Sequence, residues 1–263
     1  MDLARQLSEL PVWLAAILVV GLPTAVAVAC SAAVRRQFGF EGLRANNEVA
    51  GFKFAVLGVV YAVLLGFAVI VVWEKFHTAE VAVTHEAGVA ATLFRLSDGL
   101  PNSDRLILRT QLSAYIDAAI EDDWPAMARG AASPKVTQAV NNLYKTALAN
   151  QSDDYRGVAI LSEILRQLDL LTQERRTRIT FAEGIVPGVV WAVLLFGAVA
   201  TVSFTFFFGT LYAAAQLVMT GLLTAVIFTA LLVILSINCP FTGPTSVSSE
   251  PLAKVLKEFG EAR

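Results

Sequence analysis

Two histidines and three glutamates lie close together in the polar stretch that follows Trp73. They are His77, His85, Glu74, Glu80 and Glu86. Two histidines that share a metal ion on one helix are typically four residues apart, whereas these two are eight residues apart. The spacing therefore favours a solvated helix surface over a metal site.

The other reactive residue types form no catalytic motif. Cys30 lies inside an apolar run and Cys239 follows another, so they form neither a disulfide framework nor a metal-binding pair. The sequence has no nucleophile motif and no glycine-rich phosphate loop. We therefore expect no catalytic residue, no cofactor and no metal, and an enzyme is not favoured.

Three arginines, Arg175, Arg176 and Arg178, stand just before the third apolar run. Basic residues at this position typically anchor a helix to lipid headgroups, with about 1 kcal/mol from each near an anionic leaflet. The alternative is a positively charged vestibule that concentrates anions. The anchoring role is the favoured interpretation.

Two rows of residues repeat every four positions in the second apolar run. One contains the small residues Gly58, Ala62 and Gly66, and the other contains Val59, Val63 and Phe67. Small residues at this spacing let helix backbones approach closely in lipid. In an oligomer the second row would form rings of apolar side chains, and such constrictions gate pores by dewetting. Ordinary helix packing is the alternative.

Polar residues also recur in the fourth apolar run, where Gln216, Thr220 and Thr224 share one face. Polar groups inside a membrane usually form hydrogen bonds between helices, at about 0.6 to 2 kcal/mol each. Structural bonding is the favoured role, and a polar pore lining is the alternative. No carboxylate or histidine lies within the apolar runs, which argues against a proton-coupled carrier.

The elements that carry these residues are set by four apolar runs. They are Val12–Val34, Phe54–Trp73, Ile185–Phe208 and Leu211–Ile237. Each approaches or exceeds the roughly 20 residues that cross the hydrocarbon core of a bilayer. Between Gly184 and Ile237 the sequence has no charged residue and no histidine, which fits a hairpin of two membrane spans. The chain is 56% hydrophobic and only 16% charged, well below the charge content of a typical soluble domain.

The pattern predicts an all-α membrane protein with four spans and a helical soluble domain between spans 2 and 3. We expect a first hairpin over 1–73, a soluble domain over 74–183, a second hairpin over 184–237 and a tail over 238–263. The soluble domain has apolar stripes at three- and four-residue steps, which indicate three or four amphipathic helices. The tail favours a short amphipathic helix on Leu252, Val255, Leu256 and Phe259.

Two local features concern the first hairpin. Gly21 and Pro23 fall inside the first span, and we expect a kink or a break there because proline removes a helix hydrogen bond. Asn46 or Asn47 is a candidate cap for the second span.

The charge of the chain limits its partners and leaves its orientation open. The net charge is −2, so no nucleic-acid partner is expected. Arg35, Arg36, Arg44 and Lys53 favour a cytoplasmic short loop, but basic residues near the opposite span ends favour the reverse. The expected partners are the lipid bilayer, ions and further copies of this chain.

Three local stretches make the chain resemble the bestrophin superfamily, and most closely its bacterial members. They are Leu65–Trp73, Asp104–Tyr115 and the turn Asn238–Gly243, in which Cys239 is an insertion. The first stretch is similar to the segment that lines the pore neck in that family. The element order agrees over nearly the whole chain.

The resemblance implies a pentameric ion channel with an axial pore, a cytoplasmic helical domain and cytoplasmic termini. By it, Val59, Val63 and Phe67 occupy the three hydrophobic neck positions. Eukaryotic bestrophins follow the turn with an acidic calcium-binding cluster, whereas this chain has Pro244–Glu250 with a single carboxylate. Because calcium needs six to eight oxygen ligands, we expect no calcium site here.

Two hypotheses of different class follow. The first is a homo-oligomeric, bestrophin-like ion channel in a bacterial inner membrane, with its gate at the neck. The second is a non-conducting membrane scaffold or sensor whose helical domain binds a partner. What lies along the symmetry axis distinguishes them, because a channel needs a continuous aqueous path there.

Overall fold

The described residues, 2–45, 47–149 and 154–261 of a computed structural model, form helices and turns without a strand. The α-helices are α1 (Asp2–Glu9), α2 (Val12–Ala16), α3 (Leu22–Arg44), α4 (Asn47–Leu96), α5 (Asn102–Ala118), α6 (Trp124–Ala128), α7 (Pro134–Ala149), α8 (Tyr155–Ala182), α9 (Gly188–Thr205), α10 (Ala213–Ile237) and α11 (Glu250–Glu261). Four helical segments are long and apolar enough to cross a membrane: Val12–Arg44, Asn47–Gly99, Gly188–Thr205 and Ala213–Ile237. The predicted all-α, four-span architecture is confirmed, and the chain is a multi-pass membrane protein.

The chain divides into two compact units. The membrane unit holds the residues up to Glu74 together with Ile185–Asn238, and the helical domain holds Lys75–Gly184 and the residues from Cys239 onward. Each unit is therefore built from two separate stretches of sequence.

Glycines permit close contacts between helices in the membrane unit. A methyl group added at Gly221 of α10 would lie 3.3 Å from the Cγ2 atom of Val28 in α3, so these helices pack closely there. The ring of Tyr61 in α4 lies directly against Gly197 in α9, and its hydroxyl donates to the carbonyl oxygen of Leu194 at 3.1 Å. This hydrogen bond matters because lipid offers no substitute partner.

Prolines explain two short π-helical segments. Ile17–Gly21 precedes Pro23, and Ala119–Asp123 precedes Pro125. Proline has no N–H to donate to the carbonyl four residues earlier, and its ring crowds that carbonyl. A wider π turn accommodates both effects without ending the helix. The irregularity predicted at Gly21 and Pro23 is thus a π-helical segment between α2 and α3.

The turn between α9 and α10 is fixed by two side chains from the first hairpin. The amide of Asn47 donates to the Gly209 carbonyl at 2.7 Å and accepts from the Gly209 N–H at 2.9 Å. Arg35 donates to the carbonyl oxygens of Thr210 and Leu211. Asn47 therefore bonds this turn rather than capping its own helix, and Asn46 lies outside the described residues.

The core of the helical domain combines α5, α7 and α8 with the second half of α4 and with α11. Helix α11 buries the predicted Leu252, Val255 and Phe259, and the ring of Phe259 stacks on Phe94 of α4 at 4.1 Å between centroids. The guanidinium of Arg109 covers the Phe94 ring at 4.0 Å. The tail thus belongs to this core.

Substitution of Gly209 by alanine is expected to destabilise the membrane unit. A methyl group there would lie 2.7 Å from the backbone nitrogen of Arg44 and 2.9 Å from Leu43 Cβ, and a backbone atom cannot rotate away. Overpacking of this kind costs about 1 to 3 kcal/mol. Thermal unfolding in detergent should give a lower midpoint for Gly209→Ala.

The matched control for this substitution is Gly260→Ala, because an added methyl at Gly260 meets no atom within 4 Å among the described residues. Equal midpoints for the two variants would contradict the close contact at the turn.

Candidate functional site

The candidate site lies on the first half of α4. Val59, Val63 and Phe67 are 65%, 51% and 64% exposed in the single chain. Tyr61 and Val72 are buried, and they lie on the other side of the helix because an α-helix turns about 100° per residue. One side of α4 therefore packs against other parts of the same protomer, while the row of Val59, Val63 and Phe67 on the other side is exposed.

The small-residue row beside it is also unoccupied. A methyl group added at Gly58 or Gly66 would meet no atom within 4 Å in the described part of the chain, its own helix backbone aside, and Ala62 is exposed. Such a row allows close approach of another helix. Within the described residues of this protomer, no helix uses that space.

The polar face of α10 is buried inside the protomer. Gln216, Thr220 and Thr224 are each at most 2% exposed. The side-chain oxygen of Gln216 accepts from Arg35 at 2.7 Å, and the Thr224 hydroxyl donates to the carbonyl of Thr220 at 2.7 Å. These residues bond elements within one chain, so the alternative expectation of a polar pore lining is corrected.

The arginines of α8 separate into two groups. Arg175 and Arg178 are buried, while Arg176 is exposed. A buried guanidinium reaches neither a lipid headgroup nor an ion in a vestibule. The expectation of an anchor or a vestibule is therefore wrong for Arg175 and Arg178, and it remains a prediction for Arg176.

Arg178 is the centre of a buried ionic network in the helical domain. Its guanidinium donates to both carboxylate oxygens of Glu86, at 2.8 and 3.0 Å, and to Asp123 at 3.3 Å. Arg175 donates to Asp123 at 2.8 Å, and the Trp124 ring lies 4.5 Å from the Arg178 guanidinium. Two arginines thus face two carboxylates, which balances the buried charge.

The network shifts the pKa values of Arg178 and Tyr115. Burial opposes the charge of Arg178, but the Glu86 carboxylate outweighs that effect and raises the pKa of Arg178 above its ordinary value. The Tyr115 hydroxyl donates to Glu86, and burial together with this carboxylate raises the pKa of Tyr115 well above 10.0. The network therefore holds a permanent cation beside a neutral phenol.

The sequence does not indicate the partners in this network. It draws attention to Glu86 only as a neighbour of the histidines, and it does not distinguish Asp123 from the acidic residues beside it. Asp123 lies in the π-helical segment before Pro125, 52 residues before Arg175 and 55 before Arg178. Proline shortly after a run of acidic residues is the only local signal, and it does not indicate burial.

The two histidines lie apart from this network. His77 contacts Glu80 at 3.4 Å and is 64% exposed, and His85 contacts Glu174 at 3.5 Å and is 62% exposed. Among the described residues, no group of three or more His, Cys, Asp or Glu is placed to hold a metal ion. Both histidines lie on the surface of α4.

Substitution of Arg178 by methionine is expected to destabilise the protein by about 3 to 5 kcal/mol, since it leaves the buried Glu86 carboxylate without a cation. Arg176→Met, two residues away on the exposed side, should change stability little. Denaturant unfolding of the detergent-solubilised protein measures both. Equal stabilities of Arg178→Met and Arg176→Met would show that the ionic network adds no net free energy to folding. The double variant Arg178→Met with Glu86→Gln should recover part of the stability that Arg178→Met loses.

Substitution of Tyr115 by phenylalanine should alter the alkaline limit of stability. Folding raises the pKa of the Tyr115 hydroxyl. The contribution of this pKa shift to the free energy of unfolding is therefore complete below pH 10.0 and is lost as the pH rises above that value. Tyr115→Phe should be less stable at neutral pH and should decline less steeply above pH 10.0 than wild type. Tyr155→Phe, at a residue that is 98% exposed, is the control, and identical curves for the two variants would contradict this assignment.

Comparisons with known proteins give one consistent result. The family model described as Bestrophin-like domain matches residues 21–252. A variant of a bacterial bestrophin homolog from Klebsiella pneumoniae superposes with a TM-score of 0.72 at 14% identity, covering 92% of this chain and 98% of that one. Another crystal structure of that homolog, phased with zinc, gives 0.70 at 15% identity, with 91% and 97% covered. No curated protein sequence matches significantly.

Proposed function

This chain belongs to the bestrophin-like family, and from that premise we propose that it forms a homo-oligomeric ion channel, with a pentamer as the favoured assembly. In the assembly the α4 helices surround a central pore. Val59, Val63 and Phe67 form its hydrophobic neck, and the helical domain forms a vestibule to which Arg176 contributes.

The observation that carries this proposal is the bare side of α4. Val59, Val63 and Phe67 are each more than half exposed in the protomer, and a methyl group added at Gly58 or Gly66 would meet no atom of the described residues within 4 Å, its own helix backbone aside. Exposure to lipid accounts for apolar side chains on such a surface, but lipid does not require the small-residue row at Gly58, Ala62 and Gly66. A neighbouring copy that packs on this row would turn the adjacent row of large residues toward a shared axis.

The neck row suits a gate because its side chains are apolar and bulky. Rings of valine and phenylalanine in a narrow pore exclude water, and a dewetted segment blocks ions without a steric plug. Removing side-chain volume rewets such a segment. The location that fits is a bacterial inner membrane, with the helical domain in the cytoplasm.

The triple substitution of Val59, Val63 and Phe67 by alanine should raise single-channel conductance in planar bilayers, because smaller side chains widen the neck and admit water. The matched control replaces Leu64 and Val71 by alanine. These residues are also exposed on α4 but lie about 80 to 100° around the helix from Val63, the middle residue of the neck row, so conductance should stay close to that of wild type.

Two outcomes would overturn parts of the proposal. If the neck variant conducts as wild type does, Val59, Val63 and Phe67 do not form the gate. If the purified protein is a monomer, or if it is an oligomer and neither wild type nor any variant conducts, the channel function is excluded. The scaffold or sensor hypothesis then takes its place.

A further inference from the structure

One end of the membrane unit has an excess of positive charge. This loop end consists of Arg35–Lys53 and the turn between α9 and α10, which hydrogen bonds from Arg35 and Asn47 join together. Its sequence has four basic residues against two acidic ones, Glu41 and Glu48. The ion pairs among the described residues include none of these six side chains. The loop end therefore presents cations that the described part of the chain does not neutralise.

Arg35 is fixed at the loop end with part of its guanidinium unused. It donates to the carbonyl oxygens of Thr210 and Leu211 and to the side-chain oxygen of Gln216. These three acceptors are neutral, and an arginine has five N–H donors. The charge of Arg35 and its remaining donors are thus left for a partner outside the described residues.

Phe40 brings a second arginine to the same place. The φ angle of Gly39 is 69°, and α3 bends there because the backbone of this glycine is not helical. Beyond the bend, the Phe40 ring centre lies 5.9 Å from the guanidinium carbon of Arg35 and 5.8 Å from that of Arg44. Arg44 is exposed. One aromatic ring therefore positions two cations, since each guanidinium is attracted to it.

Aromatic side chains indicate that the loop end lies at the level of lipid headgroups. Tyr212 is 77% exposed, and Phe38 and Phe52 are 55% and 77% exposed. Tyrosine concentrates at the boundary between hydrocarbon and headgroups, with its ring in the apolar layer and its hydroxyl in the polar one. Arg35 and Arg44 are therefore within reach of lipid phosphates, which accept charge-assisted hydrogen bonds from arginine.

We propose that Arg35 and Arg44 bind the phosphate of an anionic phospholipid at the loop end, and that Phe40 positions the two guanidiniums for it. The lipid supplies the negative charge and the acceptors that the described residues do not. Basic residues near an anionic leaflet strengthen binding in this way. The proposal concerns the surface of the membrane unit and holds whether or not the protein conducts ions.

The test is native mass spectrometry of the purified full-length protein in detergent micelles. Phosphatidylglycerol is the anionic probe, and phosphatidylcholine at equal concentration is the zwitterionic reference. Wild type should retain phosphatidylglycerol in preference to phosphatidylcholine. Arg44→Gln removes one of the two cations and should lower the retention of phosphatidylglycerol several-fold, while Arg44→Lys, which keeps the charge, should restore part of it.

The matched control is Arg36→Gln, which removes an equal charge from the same end. Arg36 is exposed and lies about 100° around α3 from Arg35, so its loss should leave retention close to that of wild type. Phe40→Leu keeps every charge and removes the ring, and it should lower retention as Arg44→Gln does. It replaces Arg44→Gln in the test if thermal unfolding without lipid shows that Arg44→Gln does not fold.

Three outcomes would overturn the proposal. Equal retention of phosphatidylglycerol by wild type and Arg44→Gln would exclude Arg44 from the site. Equal losses in Arg36→Gln and Arg44→Gln would show attraction by the net charge of the loop end, without a built site. A thermal midpoint that inorganic phosphate raises as much as phosphatidylglycerol does would show a site for free phosphate instead of lipid.

Discussion

The hydrocarbon core of a bilayer offers no hydrogen-bond partner to a peptide group, and this constraint governs the membrane unit. Helices satisfy their backbone groups internally, so helices cross the membrane. Groups at the turn between α9 and α10 lack such partners, and side chains from the first hairpin supply them. Asn47 pairs with both polar backbone groups of Gly209, while Arg35 donates to the next two carbonyls. The same contacts bind the two hairpins together.

The helical domain is held together by different chemistry. Its centre contains ion pairs that join α4 and α8 to the π-helical segment at Asp123. Taking two arginines and two carboxylates out of water is costly, and their mutual attraction repays the cost only when every charge has a partner. An apolar core tolerates several arrangements of its helices, whereas this network requires one register of α8 against α4. The network therefore joins α8 to α4 in the register in which Arg178 meets Glu86.

Different features were predictable from sequence to different degrees. The four spans follow from local hydropathy, and the tail helix follows from the spacing of Leu252, Val255 and Phe259. The burial of Arg178 could not be inferred, because its partners Glu86 and Asp123 are 92 and 55 residues away in sequence and arginines before a span usually face headgroups. The neck row remains a prediction because one protomer does not contain a symmetry axis.

The position of α11 in the core of the helical domain has a consequence for biogenesis. Its apolar face packs with α4 and α5, yet in the sequence it follows both membrane hairpins. During synthesis, residues 75–184 are complete long before α11 leaves the ribosome, so their apolar surface stays uncovered while α9 and α10 enter the lipid. Domain closure therefore follows insertion, and the interval between the two events is when chaperones and proteases can act on the nascent chain.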